Sequence, residues 1–257
     1  MAEKVVSIPG FTQAKNLPKL RKRLVVAASA GEKEGKTTLA LSAPGPIAFF
    51  NLDIGLEGVL DQWVDKKQIV VAEFDYKDAT NVAEWITVWE TMKRAWMAAL
   101  KNPDVRTLVM DTETEMWELI RLARFGKLTQ VMPHNYGPVN TEYNDLIRKI
   151  YDTDKNLILL RKLKDEYIND KKTGNMEIAG FKNVPYLVQV DVVLWKKREN
   201  RHPSLMGIRG GGGTFGMTVR ECRQNREVEG LDLEEPNSDF ATLAMEVFPE
   251  TKEKDWE

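Results

Sequence analysis

The stretch Ala30-Gly31-Glu32-Lys33-Glu34-Gly35-Lys36-Thr37 constrains this chain more than any other. It follows the pattern G-x-x-x-x-G-K-[ST] with alanine at the first glycine, a pattern that carries meaning only between a strand and a helix. Both flanks are present. Residues 24–28 form a short apolar run, and residues 36–42 read as a helix stopped by Pro44-Gly45-Pro46. Successive backbone N–H groups and the helix N-terminus then cradle phosphate oxygens, and glycine lets the backbone come close to them. Gly31, beside Ala30, supplies the freedom that alanine lacks.

A loop of this kind takes a nucleoside triphosphate with its metal ion, so ATP and Mg²⁺ are the expected cofactors. Lys36 is expected at the β- and γ-phosphates, the Thr37 hydroxyl on Mg²⁺ and Thr38 at the α-phosphate. Ala30, Gly31, Glu32, Lys33, Glu34 and Gly35 complete the phosphate-binding set. The metal's water shell also needs a carboxylate, and Leu108-Val109-Met110-Asp111 offers Asp111 at the end of a buried strand. The alternative for Asp111 is a cap on the next helix. Hydrolysis needs a group that orients or deprotonates water. Asp53, where the strand at residues 47–52 ends, is the first choice, ahead of Glu57 and Glu73; an ordinary loop carboxylate is the other reading. Lys36, Asp53 and Asp111 are thus the expected catalytic residues.

Apolar runs at residues 47–52, 69–74, 105–110 and 157–160 read as further strands. Helices are expected at residues 80–101, 113–127 and 141–151, the first with Val82, Trp85, Ile86, Trp89, Met92, Trp96 and Leu100 at helical spacing and Asp78 or Thr80 as its cap. Strands alternating with helices argue for an α/β fold, a mostly parallel sheet covered on both faces. After Arg161 a β-hairpin around residues 170–174 and strands near 190–196, 205–208 and 215–219 read as an antiparallel extension. The expected division is an arm at 1–23, a core at 24–228 and an acidic extension at 229–257.

Composition narrows the setting. With 42% hydrophobic and 30% charged residues the chain fills one substantial core. A single cysteine, Cys222, excludes an internal disulfide and suits a reducing compartment. No run of ~18 apolar residues occurs, so a membrane partner is not expected and a cytoplasmic location is. A formal net charge of −2 gives no global pull on nucleic acid, so such binding must use local patches. Basic residues cluster at 15–23, 161–172 and 196–209; a solvated face is the plain alternative for each.

Together these residues resemble the RecA-type recombinase core, especially the small RecA-like P-loop ATPases of bacteriophages that act in single-strand annealing or recombination. The resemblance spans residues 24–219 as an order of elements and is most specific at 31–38. It implies a homo-oligomer acting on single-stranded DNA, with a single-strand-binding protein as a further partner. In that family a strand after the phosphate-loop helix ends in a water-activating carboxylate; Asp53 falls there, shorter than the usual glutamate. A polar γ-phosphate sensor ends the strand matching residues 157–160, where this chain has Arg161 and Lys162, with Lys164 close behind. These cations reach either a phosphate or a DNA-facing edge. The family's two DNA loops correspond to residues 127–140 and 169–180, so Lys127, Tyr136, Lys171 and Lys172, together with Lys162 and Lys164 from the basic edge, form the expected DNA-binding set, lysines on phosphates and the tyrosine on a base. Phe11 and Ala14 match the Phe-x-x-Ala segment by which eukaryotic and archaeal recombinases dock onto an adjacent subunit, adding a strand to its sheet edge. Two other classes stay open, an ATP-gated DNA-binding or loading protein with negligible turnover and a small-molecule P-loop phosphotransferase.

Overall fold

A computed structural model describes residues 12, 22–53, 56, 58–128, 131–198 and 213–256. Strand β1 (Val25–Ala30) leads through the glycine loop into helix α1 (Lys36–Ser42), as the motif requires. Strands β2 (Ile47–Asn51) and β3 (Ile69–Glu73) follow, then the long helix α2 (Val82–Lys101). Trp85, Trp89 and Trp96 share the buried face of α2 with Met92 and Leu100, which makes them core residues. Asn81, rather than Asp78 or Thr80, caps this helix by accepting from the Glu84 N–H.

Strand β4 (Thr107–Asp111) and helix α3 (Glu113–Phe125) come next, and Thr112 caps α3 by accepting from the Glu115 N–H. Asp111 is therefore spared the capping role. Helix α4 (Gly137–Arg148) begins ahead of residue 141 because Pro138 suits its first turn. Strand β5 (Asn156–Ile168) runs well past residue 160, since its second half pairs with β6 (Lys171–Ile178) in an antiparallel hairpin. Asn169 and Asp170, at φ 52° and 61°, make the turn whose twist matches that of the flanking strands. Strands β7 (Val190–Arg198), β8 (Gly213–Cys222) and β9 (Asp232–Glu234) and helix α5 (Phe240–Val247) complete the order.

The strands form one sheet ordered β3-β2-β4-β5-β1-β7-β8-β9, with β6 attached to β5 alone. One expectation is corrected here. β7 runs parallel to β1, so apart from the β5–β6 hairpin the antiparallel part starts only at β8. Side chains alternate across the sheet. Val25, Ala27, Leu108 and Leu157 meet α2, α3 and α4 on one face, while Val26, Ala28, Ile158 and Leu160 meet α1 and α5 on the other. The acidic last segment also contributes to the second core, through Leu233, Phe240, Leu243, Val247 and Trp256. Among the described residues no helix is long and apolar enough to cross a membrane.

Candidate nucleotide site

In an open parallel sheet, ligands gather beyond the carboxyl ends of the strands. The register sets which residues meet there. Ala30 pairs with Lys162, and Asn51 pairs with Asp111, so the ends of β1, β2, β4 and β5 arrive together. Gly35 caps α1 at φ 90°, a left-handed conformation that glycine adopts without a Cβ penalty. No side chain caps α1, which leaves its first N–H groups open to an anion. The Glu34 carboxylate accepts from the Gly31 N–H at 2.6 Å, so the loop already draws negative charge.

Lys36 folds back on the loop, donating to the carbonyls of Gly31 at 2.6 Å and Ala30 at 3.2 Å. Burial lowers its pKa, while Asp111 and Glu34 oppose that. The Thr37 hydroxyl lies 3.4 Å from Asp111 Oδ2. Asp111 is buried at the end of β4, and burial, then the neighbouring Asp53, push its pKa up to about 6. A buried carboxylate short of positive charge beside a threonine hydroxyl fits Mg²⁺ held by Thr37 and, through its water shell, by Asp111. No three His, Cys, Asp or Glu converge on a metal site among the described residues.

A second cluster adjoins the first. Lys162 Nζ lies 2.8 Å from Asp53 and also bonds Glu115, while Lys77 stands 3.9 Å from Asp53 and 3.6 Å from Glu115. The Tyr76 hydroxyl donates to Glu115 as well. Burial works against charge on Glu115, but Lys162 and Tyr76 outweigh it and hold the carboxyl below its ordinary range. Burial likewise disfavours charge on Lys162, and Asp53 and Glu115 outweigh that, raising its pKa. Tyr76 is pushed well up by burial and by Glu115. Sequence reasoning missed Tyr76, Lys77 and Glu115. The usable signal was positional, since Glu115 opens the helix after β4 and Tyr76-Lys77 follow the end of β3.

Neighbouring cations part company. Arg161 is 1% exposed and forms a buried ion pair with Asp191, so it faces neither phosphate nor DNA. Lys162 is the one of these two that reaches Asp53 and Glu115. Of the remaining expected DNA-binding residues, Lys127 is exposed with its ammonium 5.8 Å from the Trp85 ring. Tyr136 stacks on Trp117 and meets Phe125 edge-on, which commits its ring to an aromatic cluster. Lys164 and Lys172 on the hairpin pair with Glu177 at 3.1 Å and Asp165 at 2.8 Å, and Lys171 is exposed. Tyr167 and Ile168, which the sequence reading passed over, are 61% and 57% exposed beside them. Glu73 stays exposed on β3. Phe11, Ala14, Glu57, the strand expected at 205–208 and residues 210–212 lie outside the described residues.

The sequence profile of a family described as an AAA domain matches residues 22–214. Among solved structures the chain is similar to a prototypical ATPase from the type III secretion system of pathogenic bacteria, at 16% identity and a TM-score of 0.45 over 71% of this chain. The similarity spans 53% of that ATPase, about half its length. No curated protein matches. The family match encloses the phosphate loop, Asp53, Asp111 and Lys162, and the chain belongs to the AAA domain family.

Proposed function

We propose that this ATPase binds ATP with Mg²⁺ at the phosphate loop, hydrolyses it, and couples that cycle to single-stranded DNA as a homo-oligomer that promotes annealing or homologous recombination. Lys36 leaves the loop carbonyls for the β- and γ-phosphates, the Gly31 to Thr38 amides and hydroxyls hold the remaining oxygens, and Glu34 swings off the Gly31 N–H. Mg²⁺ draws charge from the phosphate oxygens when bound. Thr37 and Asp111 hold its shell, and Asp53 orients the attacking water once Lys162 releases it.

The observation that supports the DNA coupling is the continuity of β5. One strand carries Lys162 at the nucleotide site and, six residues on, the exposed Ile168 at the hairpin turn. A shift of Lys162 between Asp53 and a γ-phosphate is the step by which the nucleotide would bias the hairpin. Lys164, Lys171 and Lys172 supply cations there, Lys127 adds one from the end of α3, and the exposed Tyr167 supplies a ring for base stacking, while Tyr136 packs on Trp117. Oligomerisation is supported by β3, an edge strand with Val70 and Val71 49% and 38% exposed, an edge open to pairing with a neighbouring subunit. A single-strand-binding protein and a host cytoplasm complete the reading.

A second reading has one observation of its own. Two lysines already engage Asp53, which favours an ATP-gated DNA-loading protein with slow turnover. The deciding experiment measures ATP hydrolysis with and without single-stranded DNA in the wild type, Lys36→Ala and Asp53→Ala. DNA stimulation that is lost in both variants supports the coupled ATPase. Slow turnover that Asp53→Ala leaves unchanged, with DNA binding still ATP-dependent, selects the loading protein. ATP binding with no DNA binding at all removes both and leaves a small-molecule phosphotransferase.

A further inference from the structure

A cavity of roughly 610 Å³ opens beside the phosphate loop. Gly35 and Thr38 form one wall, so the space is continuous with the phosphate cradle. The other walls come from distant parts of the chain: Trp63 ahead of β3, Phe215 on β8, and Glu235 and Pro236 just past β9. The Phe215 ring is close to the loop, 3.4 Å from where a Cβ on Gly35 would sit. Its backbone N–H donates to the Glu235 carboxylate at 3.2 Å, tying β8 to the segment after β9. The volume falls in the range of about 300–1,000 Å³ typical of small-molecule sites, and an apolar, aromatic lining with a few acceptors is their usual composition.

We propose that this cavity seats the base and ribose of the nucleotide, with a purine ring against Phe215 and the Glu235 carboxylate open to an exocyclic amine. The inference rests on the nucleotide reading of the phosphate loop and adds to it the residues that distinguish a nucleoside triphosphate from bare phosphate. It also gives the acidic C-terminal segment a place in the nucleotide site. A phenyl ring offers a base an aromatic contact and offers a phosphate no donor, so Phe215 contributes affinity to the nucleoside and not to the phosphates.

The test is calorimetric binding of ATP and of inorganic tripolyphosphate, each with Mg²⁺, to the full chain as wild type, Phe215→Ala and Phe215→Tyr. The expected result is about a tenfold loss of ATP affinity in Phe215→Ala, tripolyphosphate affinity held within about twofold, and ATP binding retained in Phe215→Tyr. Retained tripolyphosphate binding shows that the variant has folded. Unchanged ATP affinity in Phe215→Ala, or an equal loss for both ligands, overturns the base pocket and leaves the phosphate loop intact. A wild-type protein that binds neither ligand overturns the phosphate-loop reading and the pocket with it.

Discussion

Strand β5 is two strands joined end to end. From Asn156 to Arg161 every side chain is buried between β4 and β1, whereas from Leu163 onward only β6 pairs with it and the tip residues are exposed. The residue types change less than the surroundings do: Leu159 is wholly buried and Ile168 is 57% exposed. Neighbours decide burial here more than strand propensity does. The junction falls between two consecutive cations, and alternation sends them opposite ways. Arg161 is locked to Asp191 in the core, and Lys162 faces the nucleotide site.

The comparison breaks if the two cations turn out to be interchangeable. Arg161→Ala leaves the buried Asp191 with only the part-exposed Arg220 at 3.7 Å, and a loss of about 3 kcal/mol in denaturant unfolding is expected. A loss below about 1 kcal/mol would place Arg161 with the surface lysines. Replacing both residues of the pair, as Arg161→Met with Asp191→Leu, should restore much of that stability, since well-packed apolar residues often substitute for a buried pair at little cost.

Glu113, wholly buried on the same face and bonded to the Tyr143 hydroxyl, sharpens the picture of the buried half. Burial pushes its pKa up to about 7 from 4.5, against the pull of Tyr143 and Arg161. Between those values the folded chain holds a proton that the unfolded chain has lost, so stability falls as pH rises through that window, on the order of 3 kcal/mol in all. Glu113→Gln should flatten this slope in unfolding curves taken from pH 4.5 to 7. A slope of the same size in the variant would assign the pH dependence to other groups.

At the exposed end, Tyr167→Ala should weaken single-stranded DNA binding about tenfold, read by fluorescence anisotropy, while stability moves by no more than about 0.5 kcal/mol. Unchanged DNA affinity would separate the hairpin from nucleic acid. Lys162→Ala should cost under about 1 kcal/mol because the side chain is part-exposed, yet DNA stimulation of turnover should disappear. Stimulation that survives would break the link between the two halves of β5.

Much of the nucleotide site was legible in the sequence because its signals are local. A strand, a glycine loop and a helix occupy consecutive residues, so Gly31 to Thr38 follow from the pattern alone. Asp53 and Asp111 were legible for a related reason, as each stands at or just past the end of an apolar run. Tyr76, Lys77 and Glu115 were not, because only the strand order brings the ends of β3 and β4 within reach of Lys162. The direction of β7 was equally hidden. A strand carries the same alternation whichever way it runs, and only its pairing with β1 makes it parallel.

By itself, the sequence determined the phosphate loop, the α/β alternation and the two acidic strand ends, since these depend on residue type, short spacing and backbone geometry. The tertiary structure decided which of Arg161 and Lys162 is buried, that Tyr167 is exposed while Tyr136 packs on Trp117, and that Phe215 and Glu235 stand beside Gly35. Those outcomes depend on contacts between residues far apart in the chain. Side-chain chemistry sets what such a contact can do, and packing alone sets which contacts form.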